Sequence, residues 1–379
     1  MQLKQRQLRI PGPTPLPDEV LEAGARQMIS HRGAEFHLLM EDVTLRLQHC
    51  FQTSGDVLVF PGAGTGGLEA SISNLFSSGD RVISLVVGTF GDRYAEIATR
   101  FGLQVTVIRS SVGEAADLNS LRRVLMQTPD VKGVLVTHNE TSTGVQNDVE
   151  EVARILREHA TKTEPPLLLV DAISSLGAAD IPVDRWGIDV AITASQKAWM
   201  APPGLTMLSV SERAWRASRD ARLPRFYWDF ADAKKFLTRW ETPYTPAVSL
   251  LYALQASLTR MMDEGMPAVF ARHERLRNMV RQEARRMGLQ ALAADSIASR
   301  TVTALLMPPG LPASRVVEGM NARGVIIAAG QDALKERIVR IGHMGFVEDA
   351  DMRIVLDALE STLSELGTEV SPHERVYSC

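Results

Sequence analysis

Lys197 lies in the part of this sequence best suited to chemistry, the segment from Ser195 to Gly204 (SQKAWMAPPG). Apolar runs typical of strands flank the segment, and its two prolines and its glycine restrict the loop between them. Such a loop can project the lysine amine into a cleft, where desolvation lowers the pKa of the amine and frees its lone pair to attack a carbonyl carbon. The segment therefore predicts a covalent step on a carbonyl group. A surface lysine in a turn is the alternative.

Two further charged residues occur in apolar surroundings. Asp171 ends the run from Leu167 to Val170, and the carboxyl ends of parallel strands deliver side chains to the ligand crevice of a sheet. Arg340 interrupts the apolar pattern of Ile338 to Gly342, and a partly buried guanidinium needs an anionic partner. Because its fork suits a carboxylate, we expect Arg340 to anchor an amino or keto acid. The alternative for Asp171 is that it caps a turn, and the alternative for Arg340 is a structural salt bridge.

The glycine-rich stretch from Pro61 to Gly67 follows a predicted strand and opens a predicted helix. Exposed amides and the helix dipole at such a position favour a phosphate group. The stretch also fits the dinucleotide pattern Gly-x-Gly-x-x-Gly, which would indicate an NAD-dependent oxidoreductase. That class needs an acidic residue at the end of the next strand. The predicted strand Arg81 to Val87 is instead followed by Gly88-Thr89-Phe90, which contains no acidic residue. The oxidoreductase stays as the alternative from another class.

Short apolar runs alternate with helix-period segments up to about residue 210, which predicts βαβ units and a mainly parallel sheet. The predicted strands are Asp56 to Phe60, Arg81 to Val87, Gln104 to Ile108, Gly133 to Thr137, Leu167 to Asp171, Val190 to Thr193 and Thr206 to Val210. The predicted helices between them include Gly67 to Ser77, Asp92 to Phe101, Leu118 to Gln127 and Asp148 to Ala160. The aromatic and basic stretch from Trp215 to Thr245 is predicted to be irregular.

The domain organisation follows from where these patterns change. We predict an N-terminal arm over 1–17, a large domain over 18–264 and a small C-terminal α+β domain over 265–379, with strands at Thr301 to Met307, Val325 to Ala328 and Ile338 to Ile341. The fold class is therefore α/β.

Composition narrows the function classes. The 379 residues are 45% hydrophobic and 23% charged, with a net charge of -4, which argues against nucleic acid or an anionic membrane surface as a partner. Two cysteines, Cys50 and Cys379, provide no disulfide framework and no four-ligand metal site. Without a secretory signal or a long apolar run, a cytoplasmic protein is expected.

The segment Ser-Gln-Lys-x-x-x-x-Pro-Pro-Gly around Lys197 resembles the cofactor-lysine segment of class V aminotransferases, especially the alanine/serine–glyoxylate group. The similarity runs from Pro11-Gly12-Pro13 to Arg340-Ile341-Gly342. The resemblance implies a pyridoxal phosphate (PLP) enzyme of fold type I, in which Lys197 binds the cofactor as a Schiff base. A carboxylate at Asp171 would pair with the protonated pyridine nitrogen of that cofactor.

The resemblance also implies which residues contact cofactor and substrate. The positions that match cofactor contacts are Gly64, Thr65, Phe90, Thr141, Asp171, Gln196, Lys197, Thr242 and Thr245. Phe90 would stack on the ring, while Gly64, Thr65 and Gln196 would hold the phosphate. Substrate positions are Arg340 and Gly12.

The stretch from Trp240 to Pro246 resembles a family segment that crosses to the partner subunit's phosphate, so a homodimer with shared active sites is expected. Thr245 matches the family there, whereas several members carry tyrosine at the position of Thr242. His138 is expected to be either a structural histidine or a general base. The segment His31-Arg32-Gly33-Ala34-Glu35 either lies near the substrate entrance or forms local salt bridges.

The expected activity is transfer of an amino group from alanine or serine to glyoxylate or pyruvate. A ureidoglycine–glyoxylate or aminophosphonate transaminase is the alternative within the class. A cysteine desulfurase would need a reactive cysteine on a mobile loop, and neither Cys50 nor Cys379 suits that role.

Overall fold

The computed structural model describes residues 6–159 and 164–367 of the chain. Residues 1–5 of the predicted arm, Ala160 at the end of a predicted helix, and the C-terminal part of the predicted small domain from 368, including Cys379, lie outside the described residues. In the described ranges, no helix is both long enough and apolar enough to cross a membrane.

The strands are, in chain order, β1 (Gln7–Leu8), β2 (Asp56–Pro61), β3 (Arg81–Val86), β4 (Gln104–Arg109), β5 (Val131–Thr137), β6 (Asn139–Glu140), β7 (Val145–Gln146), β8 (Leu167–Asp171), β9 (Val190–Ala194), β10 (Leu205–Val210), β11 (Gln290–Ala291), β12 (Val302–Leu306), β13 (Val325–Ile326), β14 (Ala328–Ala329) and β15 (Ile338–Gly342). The helices are α1 (Asp18–Gly24), α2 (Ala34–Phe51), α3 (Gly64–Leu75), α4 (Thr89–Arg100), α5 (Leu118–Gln127), α6 (Val149–His159), α7 (Val183–Trp186), α8 (Glu212–Asp220), α9 (Phe230–Leu237), α10 (Val248–Glu264), α11 (Met266–Arg286), α12 (Ala313–Ala322) and α13 (Asp349–Glu365).

The larger sheet has seven strands in the order β2-β10-β9-β8-β5-β3-β4. Strand β10 runs antiparallel to both of its neighbours, and the remaining pairs are parallel. The central strands β8, β9 and β10 are buried along their whole length, as expected for a sheet covered on both faces. The prediction of a mainly parallel α/β sheet is confirmed.

Strand register brings the ends of three central strands together. Thr137 at the end of β5 pairs with Asp171 at the end of β8, and Asp171 pairs in turn with Ile192 of β9. These strands are parallel, so the loops that follow them leave the sheet at the same edge. Ligands of open α/β sheets bind outside this carboxyl edge. The loop after β8 and the loop after β9 therefore begin at the same edge of the sheet.

A smaller antiparallel sheet, β11-β12-β15-β14, has its own hydrophobic core, to which α12 and α13 contribute. Helix α11 packs into both cores, since Val269 belongs to the core of the large sheet and Leu276 to that of the small sheet. The predicted division between residues 264 and 265 falls at Gly265, which separates α10 from α11. That division stays a prediction.

The N-terminal arm connects the small sheet to the Lys197 loop. Strand β1 pairs in parallel with β13, and the amide of Gly342 donates to the carbonyl oxygen of Arg9 over 2.7 Å. Buried Arg9 also forms an ion pair of 3.1 Å with Asp351 of α13. Further along, the Thr14 hydroxyl donates to the carbonyl oxygen of Lys197 over 3.0 Å. The arm therefore covers the loop in which the reactive lysine was predicted.

The prediction of irregular structure between Trp215 and Thr245 is wrong, because this stretch contains the end of α8 and the whole of α9. Each helix begins at a capping residue. Ser211 accepts a hydrogen bond from the amide of Ala214, and Asp229 accepts from the amides of Ala231 and Asp232. Dense aromatic and basic residues obscured the helical spacing of the buried side chains in this stretch.

Candidate active site

Lys197 lies in the loop between β9 and β10, with its side chain covered by the N-terminal arm. Its Nζ donates a hydrogen bond to the carbonyl oxygen of Pro11. The approach is so close that an ideal Cβ placed on Gly12 would lie 2.7 Å from Lys197 Nζ. Burial lowers the pKa of Lys197 to about 8, against the opposing charge of Asp171. The amine is therefore held in one place and releases its proton more readily than a solvated lysine.

Asp171 ends β8 and is buried at the carboxyl edge of the sheet, the edge at which the Lys197 loop leaves β9. One carboxylate oxygen, Oδ1, accepts a hydrogen bond of 3.0 Å from the amide of Ile173. Burial raises the pKa of Asp171 to about 7, and the charge of Glu140 adds to the rise, whereas Lys197 and Arg93 oppose it. A carboxyl group in such surroundings responds strongly to any positive charge brought next to it.

Arg340 extends from the middle of β15 and is buried. Its Nε donates to the carbonyl oxygen of Ala329 over 2.9 Å and its Nη1 to that of Thr141 over 3.1 Å. Within residues 6–159 and 164–367, no carboxylate oxygen lies within 4.0 Å of this guanidinium. Burial lowers the pKa of Arg340, whereas the negative charge of Glu140 opposes this, and the charge of Arg340 in turn helps to lower the pKa of Lys197. A buried guanidinium that makes no ion-pair contact is suited to an anionic ligand.

The glycine-rich loop connects β2 to α3 at the same edge. Its N-cap residue, Ala63, makes no side-chain hydrogen bond, so the first amides of α3, at Gly64 and Thr65, are left for another acceptor. Gly64 packs so closely on the turn after Asp171 that an ideal Cβ would lie 2.5 Å from Ile173 Cδ1. The amide end of the helix therefore lies against the turn that follows Asp171, a position that suits it to a phosphate.

Comparison with known proteins shows which family has this arrangement. The sequence profile described as "Aminotransferase class-V" matches residues 8–351. The chain belongs to the class V aminotransferases. Proteins of this family use pyridoxal phosphate, so the expectation of this cofactor is confirmed, and the dinucleotide interpretation of the Gly62 to Gly67 pattern is not supported.

Three similar sequences illustrate the relationships of this aminotransferase. It is 42% identical to "Soluble hydrogenase, small subunit" of Synechococcus sp., over 95% of this chain and 93% of that protein. It is 35% identical to L-aspartate–glyoxylate aminotransferase of Paracoccus denitrificans, over 97% and 93% of the two chains. It is 34% identical to serine–glyoxylate aminotransferase of Arabidopsis thaliana, over 96% and 91%. The predicted resemblance to the alanine/serine–glyoxylate group is confirmed.

Two solved structures have the same fold. Alanine–glyoxylate aminotransferase of Nostoc sp. superposes with a TM-score of 0.90 at 29% identity and covers 96% of each chain. Pyridoxamine–pyruvate aminotransferase of Mesorhizobium loti superposes with a TM-score of 0.91 at 29% identity, over 97% of this chain and 94% of the other. The predicted fold type I architecture is confirmed.

The residues of the crevice fit pyridoxal phosphate, which combines a phosphate, a pyridine ring and an aldehyde. The buried side-chain oxygen of Gln196 accepts no hydrogen bond from the described residues and is therefore suited to a donor group, whereas the NH2 group of the same amide could donate to a phosphate. The uncapped amides at Gly64 and Thr65 suit the phosphate, and Asp171 suits the ring nitrogen. Lys197 supplies an amine to the aldehyde.

Glu140 organises the part of the site around Phe90. Its Oε2 accepts hydrogen bonds from the amides of Phe90 and Gly91, at 3.0 and 3.1 Å, and thereby caps the first turn of α4. Its Oε1 accepts from the amide and the hydroxyl of Ser142, at 3.0 and 2.6 Å. Four hydrogen bonds explain how a fully buried carboxylate is tolerated in this position.

Sequence reasoning missed three contributors to the site: Glu140, Arg93 and the Pro11 carbonyl. The Arg93 guanidinium lies 4.8 Å from the centre of the Phe90 ring, and its charge acts on both Asp171 and Lys197. Its position one helical turn after Phe90 is a signal that could have revealed it, because such residues share a helix face. No local pattern marks Glu140 or Pro11.

The hydrogen bonds of Thr242 and the exposure of Thr245 do not connect either residue to Lys197, Asp171 or Arg340 in the described part of the chain. The Thr242 hydroxyl donates to the carbonyl oxygen of Tyr244 over 2.7 Å, and Thr245 is exposed. Arg32 holds this stretch by donating to the carbonyl oxygens of Thr242 and Pro243, at 2.7 and 3.2 Å, and by an ion pair of 3.3 Å with Glu241. Arg32 thus forms an ion pair with a residue 209 positions away and not within its own segment, so the entrance and the local salt-bridge interpretations of the segment from His31 to Glu35 both stay predictions.

The remaining candidate residues have local roles in the structure. His138 is buried, its Nδ1 lies 2.8 Å from the Ser175 hydroxyl, and burial lowers its pKa to about 3. A neutral, enclosed imidazole of this kind fits the structural alternative. Burial raises the pKa of the Cys50 thiol to about 12, which makes it a poor nucleophile for a desulfurase. Cys379, the other cysteine considered for that role, lies outside the described residues.

Proposed function

We propose that this enzyme transfers the amino group of a small amino acid, alanine or serine, to glyoxylate or pyruvate. The observation that carries the proposal is the buried Arg340 guanidinium, which forms no ion pair in the described residues, although the charge of Glu140 acts on it, and which acts electrostatically on Lys197. A substrate carboxylate bound to Arg340 would place its Cα near the Lys197 amine. The aminotransferase relatives that act on glyoxylate support the choice of acceptor.

Each residue has a separate task in this proposal. Bound pyridoxal phosphate supplies an aldehyde for the substrate amine and a ring that accepts electrons from Cα. Lys197 Nζ would take the proton from the substrate Cα and pass it to the carbon of the former cofactor aldehyde, and in the second half-reaction it would carry a proton in the reverse direction; a lowered pKa is favourable for both transfers. Asp171 holds a proton at the ring nitrogen. Arg340 and the backbone at Gly12 orient the substrate.

The cofactor contacts are proposed in the same way. Phe90 stacks on the ring, held in place by Glu140 at its amide. The Thr141 hydroxyl contacts the cofactor oxygen next to the imine. Gly64, Thr65 and Gln196 bind the phosphate.

Borohydride reduction tests the role of Lys197. The purified protein, loaded with pyridoxal phosphate and treated with borohydride, should yield one labelled peptide that contains Lys197. Lys197→Ala should remove both this label and the transaminase activity. Lys335→Ala, which replaces an exposed lysine, is the matched control and should change neither. Labelling of a different lysine in the wild-type protein would reject the proposed site.

A panel of substrates tests the proposed reaction. Alanine, serine, aspartate, ureidoglycine and an aminophosphonate are each paired with glyoxylate, pyruvate and 2-oxoglutarate. The largest kcat/KM should belong to alanine or serine with glyoxylate or pyruvate. Activity confined to 2-oxoglutarate would overturn the proposed acceptor, and a preference for ureidoglycine or the aminophosphonate would favour the alternative transaminases.

We propose further that two copies share their active sites. Leu38 and Leu45 lie on one face of α2, two turns apart, and are 67% and 52% exposed, which suits a subunit contact. Thr245 is exposed on the stretch that Arg32 holds, so it is accessible to a second copy. In this arrangement Thr245 of one copy contacts the phosphate bound by the other, and Thr242 supports the same stretch.

Subunit mixing tests the shared site. Lys197→Ala and Thr245→Val proteins are expected to be impaired separately. A mixed dimer would contain one site with both substitutions and one intact site, so about a quarter of all sites should regain activity after random exchange. If Thr245 served its own chain, mixing would restore nothing.

The name of the Synechococcus relative raises a second candidate, a subunit of a hydrogenase, which the 42% identity favours. Assays of hydrogen uptake and evolution on the purified chain separate the two. Transamination without either hydrogenase activity supports the first candidate. The cytoplasmic compartment expected from composition stays a prediction.

A further inference from the structure

Trp228 packs against the glycine-rich loop. It lies between α8 and α9, and its indole is pressed against two glycines of the loop. An ideal Cβ on Gly66 would lie 2.8 Å from Trp228 Cη2 and 2.9 Å from Cζ2, and one on Gly62 would lie 3.3 Å from Cζ2. Any side chain on Gly66 would therefore displace either the indole or the loop.

Hydrogen bonds at both ends hold Trp228 in this position. Its Nε1 donates to the carbonyl oxygen of Pro61, the last residue of β2, over 3.0 Å. Its own carbonyl oxygen accepts from Asn74 Nδ2 over 2.7 Å, and Asn74 lies on α3, the helix that the loop begins. The Asn74 side-chain oxygen accepts in turn from the amide of Phe230 over 2.9 Å. Trp228 thus connects the strand before the loop to the helix after it.

This arrangement restrains the backbone of the glycine-rich loop, which would otherwise have many accessible conformations. Glycine-rich loops lose much conformational entropy when they bind a ligand, and a support formed in advance removes part of that cost. The amides of Gly64 and Thr65 lie between the two points that Trp228 holds, Pro61 and Asn74.

We propose that Trp228 is a positioning residue for phosphate recognition. Its indole fixes the loop in the shape that directs the Gly64 and Thr65 amides at the phosphate of the cofactor. The inference rests on the proposed function of this loop, and it adds a residue that acts through the loop.

Trp228→Phe tests the proposal, because phenylalanine keeps an aromatic ring but removes Cζ2, Cη2 and the Nε1 donor. The apoenzyme is titrated with pyridoxal phosphate, with pyridoxal and with inorganic phosphate. Loss of one charge-assisted hydrogen bond corresponds to a roughly tenfold weaker affinity, expected for the two phosphate-bearing ligands. Affinity for pyridoxal, which has no phosphate, should change by less than about twofold. Equal weakening for all three ligands, or none, would overturn the proposal.

Trp215→Phe is the matched control. Trp215 is a buried indole on α8, and its ring centre lies 6.2 Å from that of Phe230 on α9. Its replacement therefore perturbs the packing of α9. Trp215 is not among the nearest neighbours of Gly62 or Gly66 in the loop. Trp215→Phe should leave the ratio of pyridoxal phosphate affinity to pyridoxal affinity unchanged. A change in that ratio equal to that of Trp228→Phe would mean that the effect is general and would overturn the proposal.

A double-mutant cycle tests the contact directly. Gly66→Ala should weaken phosphate binding about tenfold when the indole is present, because the new methyl group displaces the indole or the loop. In the Trp228→Phe background the same change should cost less than about threefold, because Cζ2 and Cη2 are gone. Additive effects would show that the two residues act independently and would sink the inference.

The proposed function can fail separately. If borohydride does not link pyridoxal phosphate to Lys197, the proposed active site is wrong, while inorganic phosphate still reports whether Trp228 supports the loop.

Discussion

The Nζ of Lys197 donates a hydrogen bond to the carbonyl oxygen of Pro11, a residue 186 positions earlier in the chain. The N-terminal arm that contains Pro11 is held at its other end by the ion pair between Arg9 and Asp351. The environment of the amine therefore depends on the small sheet as well as on its own loop. Gly12, the next residue of the arm, is the point at which this dependence can be tested.

Gly12→Ala should disrupt the site. Its φ of +106° is rarely adopted by residues with a side chain, and the added Cβ would lie 2.7 Å from Lys197 Nζ. We expect kcat/KM to fall more than about a hundredfold, with weaker labelling of Lys197 by pyridoxal phosphate and borohydride. Gly310→Ala is the control, since its φ is +85° but the ideal Cβ meets no described atom within 4 Å. It should lower stability slightly and leave kcat/KM unchanged; equal effects of the two changes would contradict the close contact.

Asp171→Asn should reduce turnover and leave cofactor attachment intact. Asparagine keeps the size of the side chain but removes its charge from a buried position. Removing one electrostatic contribution of this kind commonly lowers kcat by about 10² to 10³-fold. Steady-state kinetics and borohydride labelling of Lys197 measure the two effects separately. An unchanged kcat would argue against a carboxylate at the ring nitrogen.

Arg340→Ala should raise KM for both the amino acid and the keto acid. Loss of a charge-assisted pair predicts an increase on the order of tenfold to a hundredfold, and Arg340→Lys should recover only part of it because lysine lacks the fork. Affinity for pyridoxal phosphate should not change. Arg337→Ala, an exposed arginine immediately before β15, serves as the control. If KM stays constant and only kcat falls, Arg340 does not bind the substrate carboxylate.

Glu140→Gln should destabilise the protein around Phe90. A glutamine side chain has one acceptor oxygen in place of two, so at least one pair of the bonds that Glu140 accepts is lost. We expect the free energy of unfolding to fall by about 1–3 kcal/mol and cofactor affinity to fall with it. Glu96 is an exposed residue of α4, the helix that Glu140 caps. Glu96→Gln should therefore have little effect on the free energy of unfolding or on cofactor affinity. Chemical denaturation gives the comparison, and equal losses in both variants would remove the special role of Glu140.

Stability should decrease on mild acidification. Burial lowers the pKa values of His138, His273 and His343 to about 3, whereas the pKa of a histidine in the unfolded chain is near its ordinary value of 6.5. The unfolded state therefore binds more protons than the folded state between these two values, so the stabilisation present above pH 6.5 is progressively lost as the pH falls towards 3. Each histidine contributes a slope of about 1.4 kcal/mol per pH unit in this window.

Denaturation curves between pH 7 and pH 5 measure that slope. His138→Gln should make it shallower, and His49→Gln, at an exposed position, should not. A slope that is the same in all three proteins would show that His138 titrates normally in the folded state.

Local sequence was sufficient to predict the order of most elements. Strand β8 and helix α5 have the predicted limits, because a continuous apolar run and an amphipathic period each leave a signal within a few residues. The same signals placed Asp171 at a strand end and Lys197 in the loop after another strand. The stretch around α9 was predicted wrongly. The many aromatic residues nearby hid two signals of a helix start, the capping residue Asp229 and the buried Phe230 that follows it.

Contacts between distant residues were decided by the tertiary structure alone. Glu140 caps α4 from 50 positions away, and Arg340 reaches the Thr141 carbonyl across 199 positions. Such contacts depend on strand register and on how the small sheet packs, and neither leaves a pattern within a window of sequence. The sequence by itself determined the residue types and the elements that present them. The packing of the two sheets and the arm decided which of these residues meet, because the energy of a buried charge depends on neighbours brought together only by folding.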